Sequence, residues 1–292
     1  MAQTSLKDRI LDYLSEQERP TEIKEIYSEF NEEKKTTIRG RLNENVGKCF
    51  KRVAKGVYIA KKGESQAIII EGDSWEKLKD IEDNSVDTII TDSPYSCLNK
   101  HLATGTTRKK SGEWSFKTKD IDRQMMTEVI RILKPNGHFF SFQPSDSKDT
   151  LEYNNKFIEL CLELGMEFNK RFIWDKAVIG MGYNGRCKYE QILFFSKGKR
   201  RKPYNLGIAD LLTHKRIHAK DRIHEAEKPI ELLQDLLKFS NKKGDVVLDM
   251  FAGSLTLAEA GFREGINTIS IELDGEIIRT ALQKRGIRAE VF

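Results

Sequence analysis

The chain has 292 residues, 33% of them charged, yet its net charge is only +5. That length suits one large domain beside a small one, with ample apolar material for a core. A polar amino terminus and the lack of any apolar run near spanning length argue against secretion and the membrane. Four scattered cysteines (Cys49, Cys97, Cys161 and Cys187) without CxxC spacing argue against a disulfide framework or a zinc site, so a soluble, reducing, cytoplasmic setting is expected.

The small net charge hides local contrast. Residues 34–62 hold ten Lys or Arg against one acid, Glu44. Residues 197–222 hold nine against Asp210 and Asp221. Such blocks mark nucleic-acid surfaces or merely solvated faces.

Leu6, Ile10, Leu11 and Leu14 recur at helical spacing up to Pro20. Thr21 reads as the N-cap of a second helix carrying Ile23, Ile26, Tyr27 and Phe30. A third begins near Lys34 with Ile38 and Leu42, and residues 50–60 read as two strands around Lys55-Gly56. Three helices and a basic hairpin over residues 1–62 resemble a winged helix-turn-helix. Lys34, Lys35, Arg39 and Arg41 would meet a groove, and Lys51, Arg52 and Lys55 would track phosphates. The competing reading is a small domain that contacts protein. Residues 61–65 read as a linker.

Residues 63–292 alternate strands and helices. Ala67-Ile68-Ile69-Ile70 is a buried strand ending at Gly72-Asp73, followed by a helix to about Asp80. Val86-Asp87-Thr88-Ile89-Ile90 is a second strand, and it ends on Asp92-Ser93-Pro94-Tyr95. The carboxyl end of a strand in an open α/β sheet is where ligands sit. Asp92 and neighbouring carbonyls are acceptors suited to an amino group. Pro94 fixes its own φ and restricts Ser93. Tyr95 offers a face on which a base could stack, worth roughly 1–3 kcal/mol. Residues 96–119 form a long polar loop with Trp114 and Phe116, read as a flap over the site.

A helix over 120–133 is broken by Lys134-Pro135-Asn136-Gly137, and a strand follows over 138–142. His138 on that strand is read as a packed core residue. A helix over 151–164 and strands over 168–174 and 190–195 complete an alternation that argues a doubly wound, mostly parallel sheet covered on both faces. Asp175-Lys176 is either a site pair or a solvated ion pair. The basic insert, about 197–223, carries Arg200, Arg201, Lys215 and Arg216 and is read as clamping a duplex. His214 and His218 stand four apart but lack Cys or carboxylate neighbours at ligand spacing, so no metal is expected.

After a helix over 230–239, Asp245-Val246-Val247-Leu248-Asp249 runs into Met250-Phe251-Ala252-Gly253-Ser254, then a helix over 256–262. Ile269-Ser270-Ile271 ends on Glu272. Strand, Gly-bearing turn, helix, strand and acid is the layout of a nucleoside-binding βαβ unit. A single glycine in the turn departs from GxGxxG and gives no case for NAD.

Five motifs in order carry a resemblance over residues 66–288: Asp92-Ser93-Pro94-Tyr95, Leu133-Lys134-Pro135-Asn136-Gly137, Ile173-Trp174-Asp175-Lys176, His224 with Lys228-Pro229, and residues 248–254. With the tetrapeptide before the cofactor turn and a basic region between, the chain resembles the beta group of S-adenosylmethionine-dependent DNA amino-methyltransferases. The resemblance implies a Rossmann-like methyltransferase fold and direct in-line transfer to an everted base, N6 of adenine before N4 of cytosine. It implies Asp92, Ser93, Pro94 and Tyr95 as the catalytic set. It implies cofactor contacts at Asp249, Phe251, Gly253 and Ser254, Glu272 on the ribose, Asp73 near the adenine, and Lys228-Pro229 at the methionine end. Double-stranded DNA is the implied partner, with room for a cognate restriction nuclease and a homodimer. Two positions depart from the family pattern. Ser93 stands where proline is usual but still supplies a carbonyl. Leu255 stands where a second glycine is usual, crowding the methionine portion. That departure motivates an alternative, a DNA-binding protein on an impaired methyltransferase scaffold.

Overall fold

The computed structural model describes residues 5–17, 20–46, 50–60, 65–95, 119–148, 150–180, 185–199 and 201–292. Residues 96–118 of the expected loop over 96–119, residues 61–64 of the linker over 61–65, and Arg200 lie outside the described residues. At the amino end, helices α1 (Leu6–Glu16), α2 (Ile23–Glu29) and α3 (Lys35–Asn45) pack with strands β1 (Thr21–Glu22), β2 (Phe50–Ala54) and β3 (Val57–Ala60). The strands form an antiparallel sheet in the order β1-β3-β2. Ile10, Leu14, Ile26, Phe30, Ile38, Leu42, Phe50 and Tyr58 bury a small core. Thr21 is not the N-cap: it pairs with Tyr58 in β1, and Glu22 takes the cap position, its backbone N–H donating to Glu25.

Each apolar run read as a strand in residues 63–292 joins one nine-stranded sheet. The strands are β4 (Ala67–Glu71), β5 (Val86–Thr91), β6 (Leu133–Gln143), β7 (Met166–Asp175), β8 (Tyr189–Lys197), β9 (Leu211–Thr213), β10 (Val246–Asp249), β11 (Asn267–Glu272) and β12 (Ala289–Val291), in the order β12-β4-β11-β10-β5-β6-β8-β7-β9. Strands β12 to β6 run parallel; β8 alone opposes its neighbours β6 and β7. Consecutive residues feed opposite faces, as a pleated strand requires. Ile89, Phe139, Leu193 and Leu248 enter one core; Ile90, Phe140, Phe194 and Val247 enter the other. The amphipathic helices Arg123–Ile132 and Leu151–Glu163 cover the first face, and Ile230–Ser240 and Thr256–Glu264 the second. This is the doubly wound, mostly parallel architecture.

Two edge strands and one helix add to the expectation. The basic insert contributes β9, which pairs in parallel with β7, so it is less irregular than its composition suggests. The chain ends in the helix Gly275–Arg285 and the edge strand β12. Strands β5 and β10, neighbours in space, come from distant parts of the chain, and this switch point opens a crevice at their carboxyl ends. The amino-terminal unit docks at the opposite edge: Val53 enters the first core, the Lys55 N–H donates to the Asp80 carbonyl (3.3 Å), and Arg52 pairs with Glu82.

Candidate active site

The carboxyl ends of β4, β5, β10 and β11 meet in one cavity of about 1180 Å³. Asp92, Ser93, Pro94 and Tyr95 line it, and so do Asp73, Lys228, Asp249, Phe251, Gly253, Ser254 and Glu272. Two segments far apart in sequence therefore share a cleft somewhat larger than the usual range of ligand pockets, ~300–1,000 Å³. Among the described residues no helix is long and apolar enough to cross a membrane.

The turn after β10 is built on backbone donors. Gly253 takes φ +48°, and its N–H donates to Glu272 Oε2 at 2.7 Å. The Asp274 N–H holds Oε1 at 2.9 Å, so Glu272 is fixed while its remaining lone pairs stay available to hydroxyls. A Cβ on Gly253 would meet the His224 ring at 3.4 Å, an ordinary contact, so the positive φ rather than lack of space is what favours glycine here. Asp249 Oδ1 accepts from the Phe251 N–H and from Thr91 Oγ1, both at 3.1 Å. It thereby ties the turn to the residue before Asp92. Burial pushes the Asp249 carboxyl up to about 7 despite these donors. Phe251 and Trp75 form an aromatic wall, with centroids 5.6 Å apart. Asp73 caps its helix by accepting from the Trp75 N–H at 2.9 Å. Acceptor carboxylates, an aromatic wall and a close turn fit a nucleoside cofactor.

Leu255 does not crowd the cleft. It adopts φ +57°, a left-handed backbone that costs a side chain roughly 1–2 kcal/mol. That geometry turns it inward, fully buried with Ala67, Ile69, Ala258 and Ile278.

On the other side of the cleft, the Ser93 carbonyl accepts from the Tyr95 N–H (2.9 Å), closing a tight turn that keeps one lone pair for another donor. Tyr95 retains a sliver of exposure into the cavity, and its ring is backed by Tyr153 with centroids 5.5 Å apart. Asp92 is paired with Lys228, whose ammonium also lies 3.3 Å from Glu190 Oε2. Glu190 Oε1 meets Lys176 at 2.7 Å. Burial, set against the Lys228 cation, leaves the Asp92 carboxyl above its ordinary range. Burial also opposes ionisation of Glu190, but two lysines outweigh it and hold it at about 2. Desolvation opposes the Lys228 charge, and the two carboxylates more than compensate, pushing it up to about 12. His224, between the two halves, is lowered by burial.

Of the pair Asp175-Lys176, only Lys176 belongs to the cleft; Asp175 turns to Lys188 and the Ala177 N–H. Pro229 is buried and, unlike Lys228, does not line the cavity. Glu190, Trp75 and Lys119 also line the cleft, and the motif reading did not single them out. Among the basic residues, Lys34, Lys35, Arg39, Arg41, Lys215 and Arg216 are exposed, and Arg216 reaches the cavity lining. Arg201 is not on a duplex-facing surface. Its guanidinium donates to Thr88 Oγ1 (2.9 Å) and the Ser240 carbonyl (2.7 Å) at the opposite edge of the sheet. Arg52 is likewise spent on Glu82. His214 faces Asp235 at 2.7 Å, and His138 is fully buried against Ser240 Oγ at 2.7 Å.

Comparison with known proteins agrees with this geometry. The chain is 27% identical over 239 residues to the type II methyltransferase M.HpaI of Haemophilus parainfluenzae, covering 74% of this chain and 73% of that protein. It is 25% identical over 263 residues to the DNA adenine methyltransferase YhdJ of Escherichia coli (strain K12), covering 77% and 84%. Its fold matches PvuII DNA methyltransferase (cytosine-N4-specific) with a TM-score of 0.59 at 19% identity over 77% of this chain and 88% of that one. It matches the M1.HpyAVI–SAM complex with a TM-score of 0.57 at 20% identity over 76% and 100%. The N6/N4 DNA methylase family model matches residues 86–283, and the chain belongs to that family of DNA methyltransferases.

Proposed function

We propose that this chain methylates the exocyclic N6 of adenine in duplex DNA, with S-adenosylmethionine as methyl donor. The observation that carries this reading is the single cavity lined by both Asp92 and the Gly253 turn. The bound cofactor supplies an electrophilic methyl on a sulfonium. The chain supplies position. Glu272 and the turn over 249–254 hold the nucleoside end, with Phe251 and Trp75 as the aromatic wall. Extruding the base from the duplex costs a few kcal/mol. Tyr95 stacks on it, and Asp92 with the Ser93 carbonyl accepts from its amino group. The nitrogen lone pair then points along the line of transfer. The amino nitrogen would take the methyl group as the cofactor's sulfonium leaves as a neutral thioether, and the nitrogen would give up one proton. Asp92, which burial makes more basic, is the nearest acceptor.

An aspartate in first place resembles the adenine enzymes, whereas cytosine-N4 enzymes more often carry serine there. The inward turn of Leu255 removes the reason for an inactive scaffold. Arg216 at the cleft and the exposed basic end of α3 support contact with duplex phosphates.

Mass analysis of nucleosides from treated duplexes tests the reading. N6-methyladenine is expected. N4-methylcytosine would move the specificity to cytosine, and neither product would reject the activity. The same duplexes, titrated over a salt series, should bind with a slope that becomes shallower by about 0.9 for each phosphate no longer engaged once Lys34, Lys35, Arg39 and Arg41 are neutralised. An unchanged slope rejects a phosphate-binding role for α3.

A further inference from the structure

The cleft holds more charge than the proposed reaction uses. Two carboxylates, Asp92 and Glu190, flank one ammonium, Lys228, and a second ammonium, Lys176, sits on the far oxygen of Glu190. The rings of Phe142 and Trp174 lie beneath the Lys228 nitrogen at 5.1 and 5.9 Å. Lys176 lies 5.6 Å from the Trp174 ring. These groups come from β5, β6, β7, β8 and the segment before the helix Ile230–Ser240, so the constellation is assembled by the whole switch point rather than by one motif.

The arrangement poses a physical problem for Asp92. Its carboxylate is to accept from a neutral amino group, yet a charged donor already sits on Oδ2. A charge-assisted hydrogen bond is roughly twice as strong as a neutral one, so the amino group would not displace the ammonium unaided. Moving the ammonium out to water would leave the half-buried Glu190 and Asp92 without their shared counter-charge, which is costly. Glu190 offers a shorter route. It already stands 3.3 Å from the same nitrogen, so a small shift of the lysine head toward it completes the transfer. The aromatic rings keep a cation favourable throughout that movement. The seat itself is rigid, because Lys176 holds the other oxygen and Glu190 is in register with Trp174 across β8 and β7.

We propose that Glu190 is a positioning residue, a second seat that takes the Lys228 ammonium off Asp92 when the target amino group arrives and returns it when the product leaves. This rests on the reading of Asp92 as the group that grips the base.

The test is a double-mutant cycle in the full chain, read by single-turnover methylation of a duplex at saturating S-adenosylmethionine. Glu190→Gln is expected to slow transfer by about 10- to 100-fold, since a misplaced grip costs on that order. Calorimetric affinity for the cofactor should hold within about twofold. In a Lys228→Met background no ammonium needs a seat, so Glu190→Gln should slow the already slow enzyme by less than about twofold, the non-additivity expected of coupled neighbours. Equal losses in both backgrounds would mean a merely structural pair and would overturn the proposal, as would a wild-type rate for Glu190→Gln. Should Glu190→Gln fail to fold by circular dichroism, Glu190→Asp, which keeps the charge but withdraws the seat by one methylene, enters the same cycle with the same expectations. Activity surviving in Asp92→Ala removes the reading beneath the proposal. An inactive Asp92→Ala beside a wild-type Glu190→Gln removes the seat alone.

Discussion

At the amino-terminal edge of the sheet, the Asp87 carboxylate accepts from Lys134 (2.7 Å) and the Val246 N–H (2.9 Å), with the Arg201 guanidinium 3.8 Å away. Next to it, Thr88, His138, Ser240 and Asn241 close a hydrogen-bonded cluster around the same arginine. At the carboxyl edge of the same strand, Asp92 meets one shared lysine and faces an open cavity. The two ends of β5 thus meet an aspartate among cations, Asp87 buried within it and Asp92 half-buried just beyond it. The first takes its donors from its own chain and serves to hold the fold together. The second has a single cation, which the proposed seat on Glu190 can take over, and a carboxylate cleared in that way is what a substrate needs.

Breaking the open end should cost turnover and leave the fold. Asp92→Ala is expected to slow methyl transfer by roughly 10²–10³-fold or more, the range seen when a positioned polar group is removed from a reacting centre. Cofactor affinity by calorimetry should stay near wild type. Transfer persisting at the wild-type rate would move the reacting centre elsewhere. Breaking the closed end should do the reverse. Arg201→Met removes donors from Thr88 and the Ser240 carbonyl and is expected to cost on the order of 2–3 kcal/mol of stability, typical of removing hydrogen bonds to a charged group. That corresponds to a fall in melting temperature of several degrees. Methylation per folded molecule should change less than about twofold. A large loss of turnover at unchanged stability would contradict the contrast between the two ends.

The sequence made one side of this contrast readable. In a parallel βα unit the site lies where a strand stops, so Asp92 and the Gly253 turn are marked by the residues that end β5 and begin the next helix. Glu190 escapes that rule. It sits near the amino end of β8, and only because β8 runs antiparallel to β6 does that end reach the cleft. Apolar alternation looks the same in either strand direction, so nothing local announces the reversal. Trp75 reads as an ordinary helix residue until Phe251, far along the chain, packs on it. Arg201 misled through composition: a basic run suggests a nucleic-acid surface, but the carboxyl end of the helix Ile230–Ser240 offers carbonyls that need donors, and the guanidinium turns inward to them. The sign of φ at Leu255, which sends its side chain under the turn rather than into the cleft, is likewise set by packing against Ala258 and Ile278. Strands β9 and β12, three residues each, are too short to show alternation.

A smaller effect sharpens the comparison through Asp249, which joins the two halves of the open end by accepting from both Thr91 and the Phe251 N–H. Burial raises its carboxyl to about 7 in the folded chain from an ordinary 3.8. Between those values the folded protein holds a proton that the unfolded chain has released. Stability from this group therefore falls as pH rises through the window, with the penalty absent below about 3.8 and complete above about 7. Asp249→Asn keeps an acceptor oxygen for both donors and removes the charge. Relative to wild type, its melting temperature should rise with pH across that window, most steeply midway through it, and level off above about 7. A difference that stays flat across this range would mean the carboxylate is ionised and well solvated in the fold, so that the junction of the two half-sites is wetter than its burial implies.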